Sequence, residues 1–194
     1  MLSRTRPAIS PVPFTTLHPQ IGTVVFDDGR SFTIADLPGL IEGSHIKMGL
    51  GSRFLKHTLR AKILLFVIDI NGFQLDFRSP QRTAFDSIVF LTKELELYEP
   101  RLLTKPAVLA INKIDQLEDK TKLNEFYYAL DNYRDVLENE YEEQWRPKTL
   151  FQFEHIVEIA GKHGTNCEHL CSILRQTLDQ FTERDSNRIK FSSF

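Results

Sequence analysis

One stretch, Phe32-Thr33-Ile34-Ala35-Asp36-Leu37-Pro38-Gly39-Leu40, constrains the fold more than any other. Its apolar residues read as a pleated, enclosed strand that ends on a carboxylate and then turns sharply. Pro38 fixes φ and offers no N–H, while Gly39 takes whatever dihedral the turn needs and lets a ligand approach its N–H. An acid at the carboxyl end of a parallel strand stands where α/β sheets bind ligands. Alone, Asp-x-x-Gly marks an ordinary turn. A second stretch adds weight: Ala107-Val108-Leu109-Ala110-Ile111-Asn112-Lys113-Ile114-Asp115 is another buried strand, ending in polar groups spaced Asn-Lys-x-Asp.

Between and around these stretches the pattern alternates. Gly22 to Asp28 reads as a strand, Asp28-Gly29 as a hairpin turn, and Arg30 to Leu37 as the antiparallel return. The glycines of 43–51 mark a loop, and Ser52 to Lys62 a helix capped by Ser52 with Leu55 and Leu59 on one face. Ile63 to Ile70 is a nearly unbroken apolar run that includes Asp69, as in a central parallel strand. A long helix is expected from about Pro80, with Phe85, Ile88, Thr92 and Leu95 on one face. After the strand 107–113 come an acidic, amphipathic helical region (119–143), a last strand (153–159) and a last helix (168–181) striped by Leu170, Leu174, Leu178 and Phe181. Alternating strands and helices predict an α/β domain with a mostly parallel sheet. The 194 residues suit one domain, with the tail from Asp185 frayed.

Composition excludes little beyond this. The net charge of −2 names no partner. Cys167 and Cys171 lie four apart on an expected helix with no further ligands nearby, so they read as plain thiols in a reducing compartment rather than a metal pair. No apolar run is long enough to span a membrane, and no secretory segment is visible. Residues 1–26 contain Arg4 and Arg6 and no acid, as in a mitochondrial transit peptide, but Pro7, Pro11 and Pro13 break the amphipathic helix such a peptide needs. That stretch reads instead as an extended loop leading to Phe14.

Phe14-Thr15-Thr16-Leu17, Asp36-Leu37-Pro38-Gly39-Leu40-Ile41-Glu42-Gly43, Met48-Gly49-Leu50-Gly51 before Phe54-Leu55-Lys56-His57, and Asn112-Lys113-Ile114-Asp115 follow one another at intervals that resemble the Obg family of GTP-binding proteins. Gly72-Phe73-Gln74-Leu75 and Leu91 to Tyr98 look most like its mitochondrial branch, which is implicated in assembly of the large ribosomal subunit. The resemblance runs from about Arg6 to about Phe181. It implies a Ras-like P-loop GTPase fold, α/β with a mostly parallel sheet and helices on both faces. Residues 1–184 would form a partial Obg-type GTP-binding domain and 185–194 the tail. The implied ligands are GTP or GDP and Mg²⁺. The implied partners are ribosomal RNA or the large subunit, with no DNA, and the implied compartment is mitochondrial, otherwise nucleolar or cytoplasmic.

By that resemblance each motif has a task. Guanine differs from adenine by an N1–H and a 2-amino donor, and the Asp115 carboxylate would accept both. Asn112 would bind the O6/N7 edge or brace the loop, and the Lys113 stem would lie over the base plane. Ile114 and the Phe14 and Leu17 neighbours complete these loops. Asp36 would hold magnesium through a water, Gly39 N–H would contact the γ-phosphate beside Leu37 and Pro38, and Thr16, or the adjacent Thr15, would coordinate magnesium. Leu40 replaces a water-orienting glutamine, so hydrolysis would be slow or depend on other groups or on a partner. The last base-binding loop, usually Ser-Ala, is Ala160-Gly161, whose backbone N–H could still meet guanine O6.

The largest departure is in the phosphate loop. No Gly-x-x-x-x-Gly-Lys-[Ser/Thr] occurs in the sequence, and Met1 falls where the end of the family's first helix should be. The first strand, the phosphate loop, most of the first helix and the family's glycine-rich N-terminal domain are therefore expected to be missing, with the strands 30–37 and 63–70 left unpaired where the first strand should lie. Two functions stay open: an N-terminally truncated GTPase of ribosome assembly with weakened nucleotide binding, or a non-catalytic remnant that docks on RNA or ribosomal protein. From Gly43 to Ile68 there is no Asp or Glu, and Lys47, Arg53, Lys56 and Arg60 fall within that span. Arg53, Lys56 and Arg60 share one helix side and form a candidate RNA-contacting stripe, or else a solvated face that offsets the acidic region.

Overall fold

The computed structural model describes residues 20–36, 59–74, 78 and 80–191. Two sheets carry the architecture. Strands β1 (Gln20–Val25) and β2 (Ser31–Asp36) form an antiparallel hairpin, with Gln20 opposite Asp36 and Val25 opposite Ser31. Strands β3 (Leu64–Asp69), β4 (Ala107–Asn112) and β5 (Phe153–Glu158) form a parallel sheet in that spatial order. The hairpin turn is wider than the Asp28-Gly29 pair suggests. Phe26 N–H donates to Arg30 C=O and Gly29 N–H to Phe26 C=O, so Asp27, Asp28 and Gly29 together make the loop, with Gly29 at φ +79°. Among the described residues β2 and β3 are not paired, which leaves one edge of each without a strand neighbour.

Four α-helices with both ends among the described residues alternate with the strands of the parallel sheet or follow them. α1 (Ala84–Tyr98) begins four residues later than Pro80, because Thr83 and Asp86 form a reciprocal capping box. Phe85, Ile88, Thr92 and Leu95 are all buried, as their spacing predicts. The acidic region divides at Asn132 into α2 (Thr121–Asp131) and α3 (Tyr133–Glu140). α4 (Cys167–Phe191) runs past Asp185, where the sequence reading begins the tail. No Gly or Pro interrupts 167–191, and each added turn continues a helix already nucleated. Of the expected helix 52–62, residues 52–58 lie outside the described residues. Leu59 and Arg60 are helical and Ala61 is not, so the helix stops short of Lys62. Lys105 accounts for the stop: its ammonium donates to the Leu59 carbonyl at 3.0 Å and to that of Ala61, satisfying acceptors that a helix end leaves bare.

β4 is the centre of the molecule. Ala107 to Ile111 are each 0% exposed, because alternate side chains serve opposite faces. Leu109 and Ile111 pack with Phe66, Ile68, α1, Phe126 and Leu137 on one side. Val108 and Ala110 pack with Val157, Leu170 and Leu174 on the other, where Phe32 and Ile34 of the hairpin join them. Helices and hairpin thus cover both faces of a parallel sheet, and the carboxyl ends of β3, β4 and β5 open on the same side. No helix among the described residues is long and apolar enough to cross a membrane.

Candidate nucleotide-binding site

The strand order brings three loops together at the carboxyl end of the sheet. β4 delivers Asn112, Lys113, Ile114 and Asp115, β5 leads through Ile159 into Ala160 and Gly161, and β3 ends at Asp69. Backbone bonds lace them: Ile159 N–H donates to Ile111 C=O at 2.7 Å, Ile114 N–H to Ile159 C=O at 3.3 Å and Ile70 N–H to Asn112 C=O at 3.1 Å. The Asn-Lys-x-Asp and Ala-Gly stretches, far apart in sequence, are therefore neighbours.

Asn112 Oδ1 accepts the Gly161 N–H at 2.9 Å. That bond matches the loop-bracing one of the two roles open to Asn112, and it occupies one N–H of the Ala160-Gly161 loop. Lys113 sits at φ 67°, ψ 31°, a left-handed conformation unusual for lysine, and its Nζ lies 2.6 Å from Asp69 Oδ2. Asp115 is the middle residue of a 3-10 turn (Ile114–Gln116), with its Oδ2 3.3 Å from His163 Nε2. Two of these partners, Asp69 and His163, are not among the site residues that the sequence motifs mark. Asp69 carried a signal, a carboxylate ending a largely apolar strand; β2, expected as an enclosed strand ending on Asp36, has no buried residue because one of its edges and much of its surface are exposed. His163 carried none, since it reaches Asp115 only because the 160–165 loop closes on itself through an Ala160–Thr165 bridge.

Behind the loops, Tyr127 of α2 donates its hydroxyl to Glu158 Oε1 at 2.9 Å, and Asn166 Nδ2 donates to Glu158 C=O at 2.8 Å. Burial first, and the Glu158 carboxylate second, push the Tyr127 phenol up to about 12. These contacts anchor the end of β5 immediately before Ala160 and Gly161.

Asp36 is the exposed last residue of β2. Its hairpin is held against α4 by charge and stacking: Asp28 meets Arg30 at 3.1 Å and also Arg175, Arg30 reaches Asp179 at 3.3 Å, and the Arg175 guanidinium lies 4.6 Å from the Phe26 ring centroid. The Arg30 amide, then its guanidinium, hold the Asp28 carboxyl below the usual range. Phe14, Thr15, Thr16, Leu17, Leu37, Pro38 and Gly39 lie outside the described residues, as do Lys47, Arg53 and Lys56. Arg60 is exposed. Of the two magnesium candidates, Asp36 alone is described, and it offers one carboxylate. Among the described residues no group of three or more His, Cys, Asp or Glu side chains could hold a metal ion.

Comparison with known proteins gives the family. The family described as "50S ribosome-binding GTPase" matches residues 1–113. Human GTP-binding protein 10 is 42% identical over 97% of the chain and 48% of its own length, and its zebrafish (Danio rerio) counterpart is 44% identical over 92% and 47%. GTPase Obg of Sulfurihydrogenibium is 35% identical over 96% of the chain and 47% of its own length. The chain thus spans about half the length of the curated relatives it matches. Among solved structures, a point variant of Aquifex aeolicus Era bound to GDP and AlF4⁻ superposes with a TM-score of 0.55 at 17% identity, covering 87% of this chain and 47% of that one. This likeness supports the same GTPase-type fold. The chain belongs to the Obg family of GTP-binding proteins.

Proposed function

We propose that this chain carries the guanine-reading part of a GTP-hydrolysing protein that acts on the large ribosomal subunit. The observation that carries the reading is the convergence of Asn112, Lys113, Asp115 and Gly161 at one end of the parallel sheet, closed by the 2.9 Å Asn112–Gly161 bond. A carboxylate beside a braced loop suits a base that presents two adjacent donors, as guanine does. The family's description and the names of the relatives point the same way. Asp36, with Thr16 or Thr15, would hold Mg²⁺, whose charge offsets that of the phosphates; Gly39 N–H would meet the terminal phosphate. Ribosomal RNA would dock on the stripe of Arg53, Lys56 and Arg60, with Lys47 of the preceding loop as a further contact. The likeness of Gly72 to Leu75 and of Leu91 to Tyr98 to the mitochondrial branch of the family favours a mitochondrial setting.

The sequence has no phosphate-loop pattern, so base contacts would supply most of its nucleotide affinity, which would be far weaker than with a complete cradle. The test is competition of GTP, XTP and ATP for a fluorescent GTP analogue on the chain and on Asp115→Asn. The parent should rank GTP first, and the amide should move the preference towards XTP by presenting a donor where xanthine has a carbonyl. An unchanged ranking would refute the assignment, and submicromolar GTP affinity would refute the weakening.

A further inference from the structure

Outside the Asn-Lys-x-Asp motif, a second turn grips the same loop from the side. β3 ends at Asp69, whose carboxylate is divided between two partners: Oδ1 accepts the Asn71 N–H at 2.9 Å, and Oδ2 lies 2.6 Å from Lys113 Nζ. Asn71 reaches the loop further along. Its Oδ1 accepts from Lys122 Nζ at 2.7 Å, at the start of α2, and its Nδ2 approaches Gln116 Oε1 at a long 3.5 Å. The turn that presents these side chains is itself rigid. Gly72 N–H donates to Asp69 C=O at 2.9 Å, Phe73 and Arg82 exchange backbone bonds at 3.0 and 2.8 Å, and Gln81 Nε2 donates to Asn71 C=O at 3.2 Å.

We infer that Asp69 and Asn71 are positioning residues for guanine recognition, holding the 113–116 loop on both sides of Asp115. The inference rests on the guanine reading above. Asp69 pins the far end of the Lys113 side chain, so that the aliphatic stem forms a fixed bar for the base plane, and it supports a backbone conformation that lysine adopts at a cost. Asn71 holds the other side through Gln116 and Lys122. Asp115 lies between the two holds and needs that support, because accepting two guanine donors at once requires both of its oxygens in place, whereas a single bond tolerates a displaced carboxylate. Loosening the loop therefore costs the second bond first. A hypoxanthine base, which lacks the 2-amino group, never makes that bond.

The experiment titrates the isotope-labelled chain with GDP, IDP and ADP, followed by amide NMR shifts, for the parent, Asp69→Asn, Asn71→Ala and Asp115→Asn. The parent is expected to prefer GDP over IDP. Asp69→Asn and Asn71→Ala should each shrink that preference about three- to tenfold, the weight of one modest hydrogen bond, with an unchanged melting temperature. Amide exchange at Ile114 should quicken in both. Asn71 is a turn residue rather than a core one, so Asn71→Ala keeps the test decisive should Asp69→Asn fold poorly. A purely structural role would weaken GDP and IDP equally, and that outcome overturns the inference. So does a GDP preference that Asp115→Asn abolishes but both turn variants retain, with the guanine reading intact. A parent chain that does not prefer GDP to ADP overturns the reading and the inference together.

Discussion

Asn112 takes the amide hydrogen of Gly161 on its side-chain oxygen at 2.9 Å, tying the loop after β4 to the loop after β5 across 49 residues of sequence. An oxygen acceptor is all this contact requires. Asn112→Asp should preserve it, while Asn112→Ala leaves a half-buried N–H without its partner and costs about 1–3 kcal/mol. Hydrogen exchange at Gly161, read beside the melting temperature, checks this. Equal exchange in the two variants would mean that the bond does not hold the loop.

Two of the glycines at left-handed turns should differ sharply in tolerance. A Cβ at Gly72 (φ +73°) would stand 1.8 Å from the Arg82 carbonyl oxygen, whereas one at Gly29 (φ +79°) meets nothing within 4 Å. Gly29→Ala should cost only the dihedral strain, about 1–2 kcal/mol. Gly72→Ala must also push the Arg82 backbone away, and should cost more than about 3 kcal/mol in all. Urea unfolding of both variants measures the difference, and similar losses would contradict the steric account.

Tyr127 ties stability to alkaline pH. Its phenol is raised from an ordinary value near 10 to about 12 in the folded chain, so the proton is bound more tightly in the native state. The associated stability is complete below about pH 10 and is lost as pH rises through about 12. Tyr127→Phe should remove that loss from the alkaline limb of the stability curve. It should also delete one late-ionising phenol from an absorbance titration. A parent titration in which every phenol ionises near pH 10 would rule this out.

The basic stripe has a salt-dependent signature. Replacing Arg53, Lys56 and Arg60 together by Ala should reduce the slope of log affinity against log salt for ribosomal RNA by about 2–3, roughly one for each phosphate no longer neutralised. The melting temperature and the guanine preference should not change. An unaltered slope would assign the stripe to solvent.

Local pattern was enough to read most of the elements. The apolar run at 64–69, the 107–111 core and the α1 stripe of Phe85, Ile88 and Leu95 follow from side-chain periodicity, which burial rewards wherever it occurs. The capping box at Thr83 and Asp86 was equally local and marks where α1 starts. The Asn-Lys-x-Asp spacing located Asn112, Lys113 and Asp115, because a motif's side chains sit within one turn of chain. What only the tertiary structure decided were contacts between residues far apart in sequence. Parallel strand order placed Asp69 beside Lys113 and Gly161 beside Asn112. The bridged 160–165 loop brought His163 to Asp115, and packing of β4 sent Lys105 back to the carbonyls at 59 and 61. Each of these depends on where a strand or helix ends in space, which is set by the shared core on the two faces of β4, and no local pattern carries that information.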